Sequence, residues 1–250
     1  MSRQPRQESP SGFYHVMQRG VGKQIIFEED FDYKVFLSYL SKLKDKYDVN
    51  IIAYCLMDNH VHLLLQSANS NVVSQFIQRI SSSYARYYNN RYEHSGHVFQ
   101  NRYKCKIIDS DQYLFACVRY IHNNPSSAGI SSRESYRWSS YIEYVLGKGI
   151  CERKVLLSMI GGINNFATFS SEKDKEEYDF LSYSSKAAAY ELGLKIVCEY
   201  FGMDCKDAVL VKSLCKSERD MILRKMKNAG LTNRQIEHIT GVSKSIVQRA

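Results

Sequence analysis

The strongest constraint on the fold is a pair of short apolar segments separated by only Asp58 and Asn59. Residues 49–57 form an apolar run rich in β-branched side chains, and residues 60–66 form a second run. Asp and Asn favour turns, and apolar runs of this length on either side of a turn are typical of paired strands. The sequence therefore predicts a β-hairpin over residues 49–66, with Val61, Leu63 and Leu65 facing the core.

Apolar patterns on either side of this hairpin predict five further elements. They are strands at 13–17 and 102–108 and helices at 30–47, 72–92 and 111–124. Pro125 disfavours helical geometry at the residue before it, so the last helix is predicted to end at Asn124. The order β-α-β-β-α-β followed by a helix is that of a ferredoxin-like α/β sandwich with an antiparallel sheet. The predicted fold class of this part of the chain is α+β.

His60 and His62 lie two residues apart in the second strand of the hairpin. Their side chains therefore leave the same face of the sheet. Imidazoles in this arrangement can converge on one divalent cation, each through a neutral ring nitrogen. Two histidines on a solvated strand face can also be bystanders, so the pair alone does not identify a metal site.

Tyr120 and Asn124 lie four residues apart near the end of the last predicted helix, so they share one helix face. Asn124 offers a carbonyl oxygen of the kind that a hard cation accepts. Tyr120 offers a phenol that can attack phosphorus while a metal polarises the phosphate. Packing of Tyr120 in the core and helix capping by Asn124 would explain either residue by itself.

Three linked motifs resemble those of the single-tyrosine transposases of the HUH endonuclease superfamily. They are MDNHVHLLL at 57–65, YIHNNP at 120–125 and RWSSY at 137–141. Together with HSGHVFQNRYKCKIID at 94–109, their spacing most resembles that of the REP-associated tyrosine transposases. The resemblance covers residues 12–145 and implies the HUH transposase fold for this region.

The resemblance also implies metal-dependent cleavage and strand transfer on single-stranded DNA hairpins. His60 and His62 match the histidine pair that holds Mg or Mn in this family, and Asn124 matches the position of a polar third ligand. Tyr120 matches the nucleophile that becomes joined to a 5′ phosphate and leaves a free 3′ hydroxyl. Many relatives have proline where this chain has Asp58, and we assign that residue a role in the turn.

Cationic and aromatic residues are interleaved between residues 79 and 119, which is what a groove for single-stranded DNA requires. The predicted DNA contacts in this part of the chain are Arg19, Arg102, Lys104 and Arg119. Arg19 is included because it precedes Gly20 at a position that resembles a DNA-contacting loop of the family. Tyr84 and Tyr87 continue an apolar stripe and are interpreted as core residues.

Residues 231–250 fit a helix-turn-helix with Gly241 at the turn. The positions where the two helices would pack are Ile236, Thr240, Val242, Val247 and Ala250. The residues that the second helix would present to a DNA major groove are Lys244, Ser245, Gln248 and Arg249. A helical hairpin that binds protein is the alternative. Nine Lys and Arg against three Asp and Glu give residues 212–250 a net charge of +6, which favours DNA.

Charge divides the chain into three segments. The overall +8 is the sum of +5 for residues 1–150, −3 for residues 151–211 and +6 for residues 212–250. Two basic regions around an acidic one suggest two units that contact nucleic acid. The predicted organisation has three parts. They are a catalytic domain at 12–145, a connector at 146–190 and a small all-α DNA-binding domain at 191–250.

Cysteine content and apolar run lengths limit the cellular setting. The seven cysteines include no C-x-x-C pair, so free thiols in a reducing compartment are expected. The first residues lack the apolar core of a signal peptide, and no apolar run is long enough to span a bilayer. The expected localisation is cytoplasmic and the expected partner is DNA rather than a membrane. Whether the chain acts as a monomer or a homodimer stays open.

Two functions of different class follow from these observations. The first is a metal-dependent DNA endonuclease and strand transferase that performs transposition. The second is a regulatory protein that binds a DNA hairpin or an operator on the same fold without turnover. The complete set His60, His62, Tyr120 and Asn124 favours the enzyme, because a protein that only binds DNA has no need of all four. The flanking motifs disfavour a replication initiator or relaxase with the same chemistry.

Overall fold

A computed structural model describes residues 6–174, 178, 180, 185–202, 208–229, 231 and 233–250. The chain divides into two compact units, Met1–Leu181 and Ser182–Ala250. No helix in the described part of the chain is both long and apolar enough to cross a membrane.

The first unit contains a four-stranded sheet in the order β2-β3-β1-β4, with every neighbouring pair antiparallel. The strands are β1 (Phe13–Arg19), β2 (Asn50–Met57), β3 (His60–Gln66) and β4 (Lys104–Ile108). The helices are α1 (Asp30–Lys44), α2 (Ser70–Arg91), α3 (Asp111–Ser127), α4 (Tyr141–Leu146), α5 (Arg153–Met159) and α6 (Phe166–Ser171). The predicted ferredoxin-like sandwich is therefore confirmed.

The predicted hairpin is strands β2 and β3, joined by a turn at Asp58 and Asn59. Val61, Leu63 and Leu65 alternate toward the core that α1 and α2 cover, as predicted. Large side chains from both helices fill this core, including Phe36 and Phe76. The alternation leaves the intervening β3 positions on the opposite face of the sheet, against α3.

A second core lies between that opposite face and helices α3 to α6. Its residues from the sheet include Ala53, Cys55 and Leu64, and α3 contributes Leu114 and Ile121. Because β3 also places His60 and His62 on this face, the histidine pair lies at the border of an apolar core rather than on a solvated strand face.

Two of the differences from the predicted element bounds affect the region of the site. Helix α3 continues through Pro125 to Ser127, because the loss of one N–H is tolerated in the last turn. The amide of Ala128 donates to the Asn124 carbonyl at 3.0 Å and so completes that turn. Strand β4 begins at Lys104, so Arg102 lies in the preceding loop rather than in the strand.

Helix α1 begins with a polar cluster around Asp32, whose side chain is fully buried. The Asp32 carboxyl oxygens accept hydrogen bonds from the hydroxyls of Tyr87 at 2.6 Å and Tyr92 at 2.7 Å. They also accept from the backbone amides of Glu28 and Glu29 at 2.8 and 2.9 Å. Asp32 therefore ties the start of α1 to the end of α2. Tyr84 is fully buried and Tyr87 partly buried in the adjoining core, as predicted.

The region predicted as a connector, residues 146–190, contains α5 and α6. Their side chains Leu156, Phe166 and Phe169 are buried in the second core, so these two helices complete the first unit. The first unit accordingly extends beyond residue 145. The functions assigned to the three predicted segments, namely catalysis, connection and DNA binding, stay predictions.

In its described residues, the second unit is all-helical. Its helices are α7 (Ser185–Phe201), α8 (Lys216–Asn228), α9 (Asn233–Thr240) and α10 (Lys244–Arg249). Ile236, Thr240, Val242 and Val247 are buried where α9 and α10 meet, and Ala250 packs against them partly exposed. Gly241 has φ +67 between the two helices, a conformation that glycine adopts without strain. The two helices match the predicted helix-turn-helix positions at 231–250.

Candidate active site

The sheet brings the two predicted metal-ligating histidines to the same place. His60 lies opposite Arg19 in the β1–β3 register, and His62 lies opposite Met17. The two imidazole centroids are 5.1 Å apart with nearly perpendicular ring planes. His62 is 1% exposed, whereas His60 is partly exposed. The pair is thus held at the wall of the second core with one ring accessible.

Each histidine is oriented through its Nδ1 atom. The Nδ1 of His60 lies 2.7 Å from the Oδ1 of Asn59, an acceptor, so this nitrogen donates the hydrogen bond. The Nδ1 of His62 lies 3.0 Å from the Nε2 of His15. Hydrogen bonds at Nδ1 are the arrangement by which proteins orient metal-binding imidazoles, because they direct Nε2 toward the ion.

His15 is a site residue that the sequence analysis missed. It is completely buried, its ring stacks on His62 with centroids 5.3 Å apart, and its Nδ1 has no hydrogen-bond partner among the described residues. A signal was present in the sequence, because His15 alternates with Phe13 and Met17 along β1. A polar side chain at a core-facing strand position is rarely placed without a partner.

Helix α3 places Tyr120 and Asn124 against the histidines. The Tyr120 ring centroid is 5.5 Å from that of His62 and 5.9 Å from that of His15, in edge-to-face contacts. The Asn124 side chain hydrogen-bonds to His60, and its Nδ2 donates to the Tyr120 carbonyl at 3.1 Å. The structure therefore brings all four predicted residues, His60, His62, Tyr120 and Asn124, into one cluster.

Burial keeps the histidines of this cluster uncharged. It lowers the pKa of His60 to about 4, assisted by the positive charge of Arg19 and opposed by the hydrogen bond with the Asn124 side chain. Burial also lowers the pKa of His62 well below its usual value, and neighbouring His15 and His60 lower it further. Neutral imidazole is the form that binds metal ions, so both rings are ready to act as ligands at neutral pH.

The donor set suits a hard divalent cation that also binds substrate. Two imidazoles and the amide of Asn124 lie together, and each imidazole is oriented by a partner at Nδ1. Among the described residues, no group of three or more His, Cys, Asp or Glu side chains could hold a metal ion. An ion held by two histidines and one amide has coordination positions left for phosphate oxygens. Open positions of this kind are typical of a catalytic rather than a structural metal site.

The predicted DNA-contacting residues of this unit divide into two groups. Arg19 is buried beside His60, whereas Arg102 and Lys104 are exposed near the sheet edge. Arg119 is also buried, and on α3 it forms ion pairs with Asp174 and Glu172 and contacts the Phe169 ring. The prediction of a DNA contact at Arg119 is therefore not supported, since its guanidinium is already held by two carboxylates.

His122 lies on α3 between the two site residues but contacts other groups. Its Nε2 is 2.8 Å from the Ser140 hydroxyl, and its ring makes edge-to-face contacts with Tyr141, Tyr144 and Phe166. It is therefore a packing residue of the second core.

In the second unit, three of the four predicted major-groove residues are exposed on α10: Ser245, Gln248 and Arg249. The Nε of Arg249 donates to the Ser245 carbonyl at 3.0 Å. The side chain of Lys244 lies outside the described part of the chain.

Residues 10–124 match the model of a family described as IS200-like transposases. This part of the chain is similar to that family. The matched region contains β1 to β4 and ends at Asn124, so every member of the histidine–tyrosine cluster lies within it. The resemblance to single-tyrosine HUH transposases is confirmed, and α4 to α6 and the second unit lie beyond the match.

Two solved structures are similar to this chain. One, a REP-associated tyrosine transposase bound to a REP hairpin, has a TM-score of 0.52 and 14% identity, covering 72% of this chain and 96% of that one. The other is a putative transposase from Deinococcus radiodurans, with a TM-score of 0.34 and 17% identity, covering 49% of this chain and 95% of that one. The first supports the transposase fold. No curated protein matches the chain.

Proposed function

We propose that this transposase cleaves and rejoins single-stranded DNA through a covalent bond between Tyr120 and a 5′ phosphate. The observation that carries the proposal is the position of the Tyr120 ring, 5.5 Å from His62 and one helical turn from Asn124, which itself bonds to His60. A family match alone would leave open whether these four residues meet, and their proximity supports the proposal.

The proposed reaction is an exchange of oxygen atoms at phosphorus. The Tyr120 Oη loses its proton and forms a bond to the scissile phosphorus, while the bond from phosphorus to the 3′ oxygen breaks. The departing 3′ oxygen takes up a proton and becomes a free hydroxyl. Attack by a 3′ hydroxyl on the tyrosyl phosphate reverses these steps and joins DNA strands, so no external energy source is required.

Mg or Mn fits the site as a cofactor, held by His60, His62 and Asn124. A divalent cation there would polarise the scissile phosphate and stabilise the charge that develops on its oxygens. The chain itself provides orientation: Asn59 and His15 fix the two imidazole rings, and burial keeps those rings neutral. Asn124 links His60 to the helix that carries Tyr120.

The proposed substrate is single-stranded DNA that contains a hairpin, and the similar REP-associated transposase is bound to a REP hairpin. Arg19, which lies opposite His60, and Arg102 and Lys104, which are exposed near the sheet edge, are the residues proposed to contact phosphates. In the second unit, Lys244, Ser245, Gln248 and Arg249 of α10 are proposed to bind duplex DNA as a helix-turn-helix.

A denaturing gel tests this proposal. The protein is mixed with labelled single-stranded DNA that carries hairpins, in Mn²⁺ or in chelator. We expect a slower-migrating covalent adduct that needs the metal and is lost in Tyr120→Phe, which keeps the ring and removes the hydroxyl. DNA retention on a native gel without any adduct, across a broad set of hairpins, would favour the non-catalytic binding protein.

A further inference from the structure

The RWSSY motif at residues 137–141 carries none of the groups that the proposed chemistry uses. Its backbone pairs with β2, which lies at one edge of the described sheet. The Leu56 amide donates to the Trp138 carbonyl at 2.9 Å, and the Ser140 amide donates to the Tyr54 carbonyl at 2.9 Å. The residue of β2 between these two bonds is the one that lies opposite His62 on β3. The motif is therefore attached to the sheet directly behind the histidine pair.

Ser140 is fully buried, and its hydroxyl joins β2 to helix α3. The Tyr54 amide donates to Ser140 Oγ at 2.9 Å, and the hydroxyl donates to the Tyr54 carbonyl at 3.2 Å. The Nε2 of His122 lies 2.8 Å from the same Oγ. A hydroxyl has one hydrogen, and the Tyr54 carbonyl can only accept, so the third bond is donated by His122 Nε2. The Ser140 hydroxyl thus uses its whole hydrogen-bonding capacity to connect the edge strand with α3.

His122 and the site residues lie on opposite flanks of α3. Tyr120 and Asn124 are each two residues from His122, and successive residues of a helix turn by about 100°, so both lie about halfway round the helix from it. Leu114 and Ile121, which pack in the second core, lie on the stripe between the two flanks. The helix therefore rests on the sheet along this stripe, with the site on one side and the bond to Ser140 on the other.

A bond on the His122 flank limits how far α3 can roll about its axis. A roll of about 10° moves a side-chain tip about 6 Å from the axis by about 1 Å. A misplacement of about 1 Å can slow a reaction about a hundredfold. A small roll of α3 would therefore be enough to separate Tyr120 and Asn124 from the histidine pair.

We propose that His122 and Ser140 are positioning residues, which fix the roll of α3 and thereby hold Tyr120 and Asn124 at the histidine pair. His122 contacts Ser140, Ser140 is bonded to β2, and β2 pairs with the strand that carries His62. The inference rests on the proposed function for its effect on rate. It goes further by giving a role to a motif that lies beyond the family match.

Nuclear magnetic resonance tests this geometry without DNA or metal. With ring-labelled tyrosine and histidine, we expect a nuclear Overhauser contact between the rings of Tyr120 and His62, whose centroids are 5.5 Å apart. A displacement of about 1 Å should weaken this contact at least twofold in Ser140→Ala and in His122→Leu. His122→Gln keeps a donor on a side chain of similar reach and should retain most of it. Tyr84→Phe removes a fully buried hydroxyl from the core under α1 and α2, so it is the matched control and should equal the wild type.

The effect on the reaction is measured in a single turnover at saturating DNA and Mn²⁺. We expect the rate of adduct formation to fall about tenfold in Ser140→Ala, while its DNA affinity in chelator stays unchanged. The double variant of Ser140→Ala with His122→Leu should be no slower than the slower single variant, because the two side chains act through one shared bond. His122→Gln should recover part of the rate that His122→Leu loses.

Several results would overturn the inference. They are an unchanged contact between Tyr120 and His62 in both Ser140→Ala and His122→Leu, an equal loss of rate in Tyr84→Phe, and a double variant whose loss is the product of the two single losses. The His122 variants repeat the test with the bonds between Ser140 and β2 left in place. A wild-type protein that forms no adduct would contradict the proposed function, and the resonance comparison would still decide whether His122 and Ser140 position α3.

Discussion

The Nε2 of His15 lies 3.0 Å from the Nδ1 of His62, and the two rings stack inside the second core. Neither histidine can move without disturbing the other, because both are almost completely buried. The position of the His62 ring is therefore set by a residue on the neighbouring strand. In the proposed mechanism His15 is a positioning residue. It contacts the metal ligand His62 but does not contact the ion or the DNA.

The main effect of replacing His15 should be weaker metal binding. His15→Leu removes the hydrogen bond at His62 Nδ1 and should raise the Kd for Mn²⁺ about tenfold or more, as for other residues that orient metal ligands. Isothermal titration calorimetry measures this without DNA. His15→Gln keeps a hydrogen-bonding group and should recover part of the affinity. Equal Mn²⁺ affinity in wild type and His15→Leu would show that His15 only fills space.

Asn124 should determine metal-dependent adduct formation through its side-chain oxygen. Asn124→Ala removes this oxygen and its hydrogen bond to His60, so we expect about a tenfold slower adduct at low Mn²⁺. Asn124→Asp restores an oxygen ligand and should keep activity close to that of the wild type. The measurement is the initial rate of adduct formation across a Mn²⁺ titration. An alanine variant with the wild-type Mn²⁺ dependence would remove Asn124 from the ligand set.

Asp32 should stabilise the fold far more than its exposed neighbour Asp30. Asp32→Ala leaves two tyrosine hydroxyls and two backbone amides without their acceptor, so we expect a loss of about 3 kcal/mol in the free energy of unfolding. Asp30→Ala removes only an exposed ion pair with Arg137 and should cost about 0.5 kcal/mol. Urea unfolding measures both variants. A loss at Asp32 no larger than that at Asp30 would contradict the role of this cluster.

Burial of His122 should make the fold less stable as the pH falls. Burial, assisted by the charge of Arg133, lowers the pKa of His122 from 6.5 to about 3. Below about pH 6.5 the unfolded chain binds a proton at this residue that the folded chain does not bind, so stability is complete above pH 6.5 and declines as pH falls toward 3. Between pH 7 and pH 5, His122 is expected to lower the free energy of unfolding by about 2 kcal/mol.

The His122→Gln variant isolates this contribution. Its free energy of unfolding should be lower than that of the wild type at pH 7, because packing against Ser140 and the surrounding rings is disturbed. The difference from the wild type should then shrink at pH 5. His15 is also buried with a pKa of about 3, but it is present in both proteins and cancels in the comparison. Parallel stability curves for the two proteins would exclude His122 as a source of the pH dependence.

The sheet and its two covering layers follow from sequence because each part has a local signal. The alternation of Val61, Leu63 and Leu65 and the turn at Asp58 fix the hairpin and decide which face carries the histidines. The approach of Tyr120 to His62 has no such local signal, because it depends on how α3 packs on the sheet. From the sequence, the proximity of Tyr120 and His62 was predictable only because the motifs resemble those of a family.

The misassigned residues share one cause, which is a partner distant in sequence. Arg119 looked like a DNA contact because Asp174 and Glu172, which pair with it, lie more than 50 residues further along the chain. His15 was overlooked because its partner His62 lies 47 residues away. Composition and periodicity describe a residue's neighbours along the chain, and these two roles are set by neighbours in space.

The most direct test of the central claim is mass spectrometry of the covalent adduct. The protein is incubated with hairpin-bearing single-stranded DNA and Mn²⁺, the DNA is trimmed with nuclease, and the tryptic peptides are sequenced. We predict a nucleotide attached through its 5′ phosphate to Tyr120 in the peptide that begins after Arg119. Attachment at any other residue, or peptides without nucleotide under conditions where the DNA is cleaved, would contradict the assignment of Tyr120 as the nucleophile.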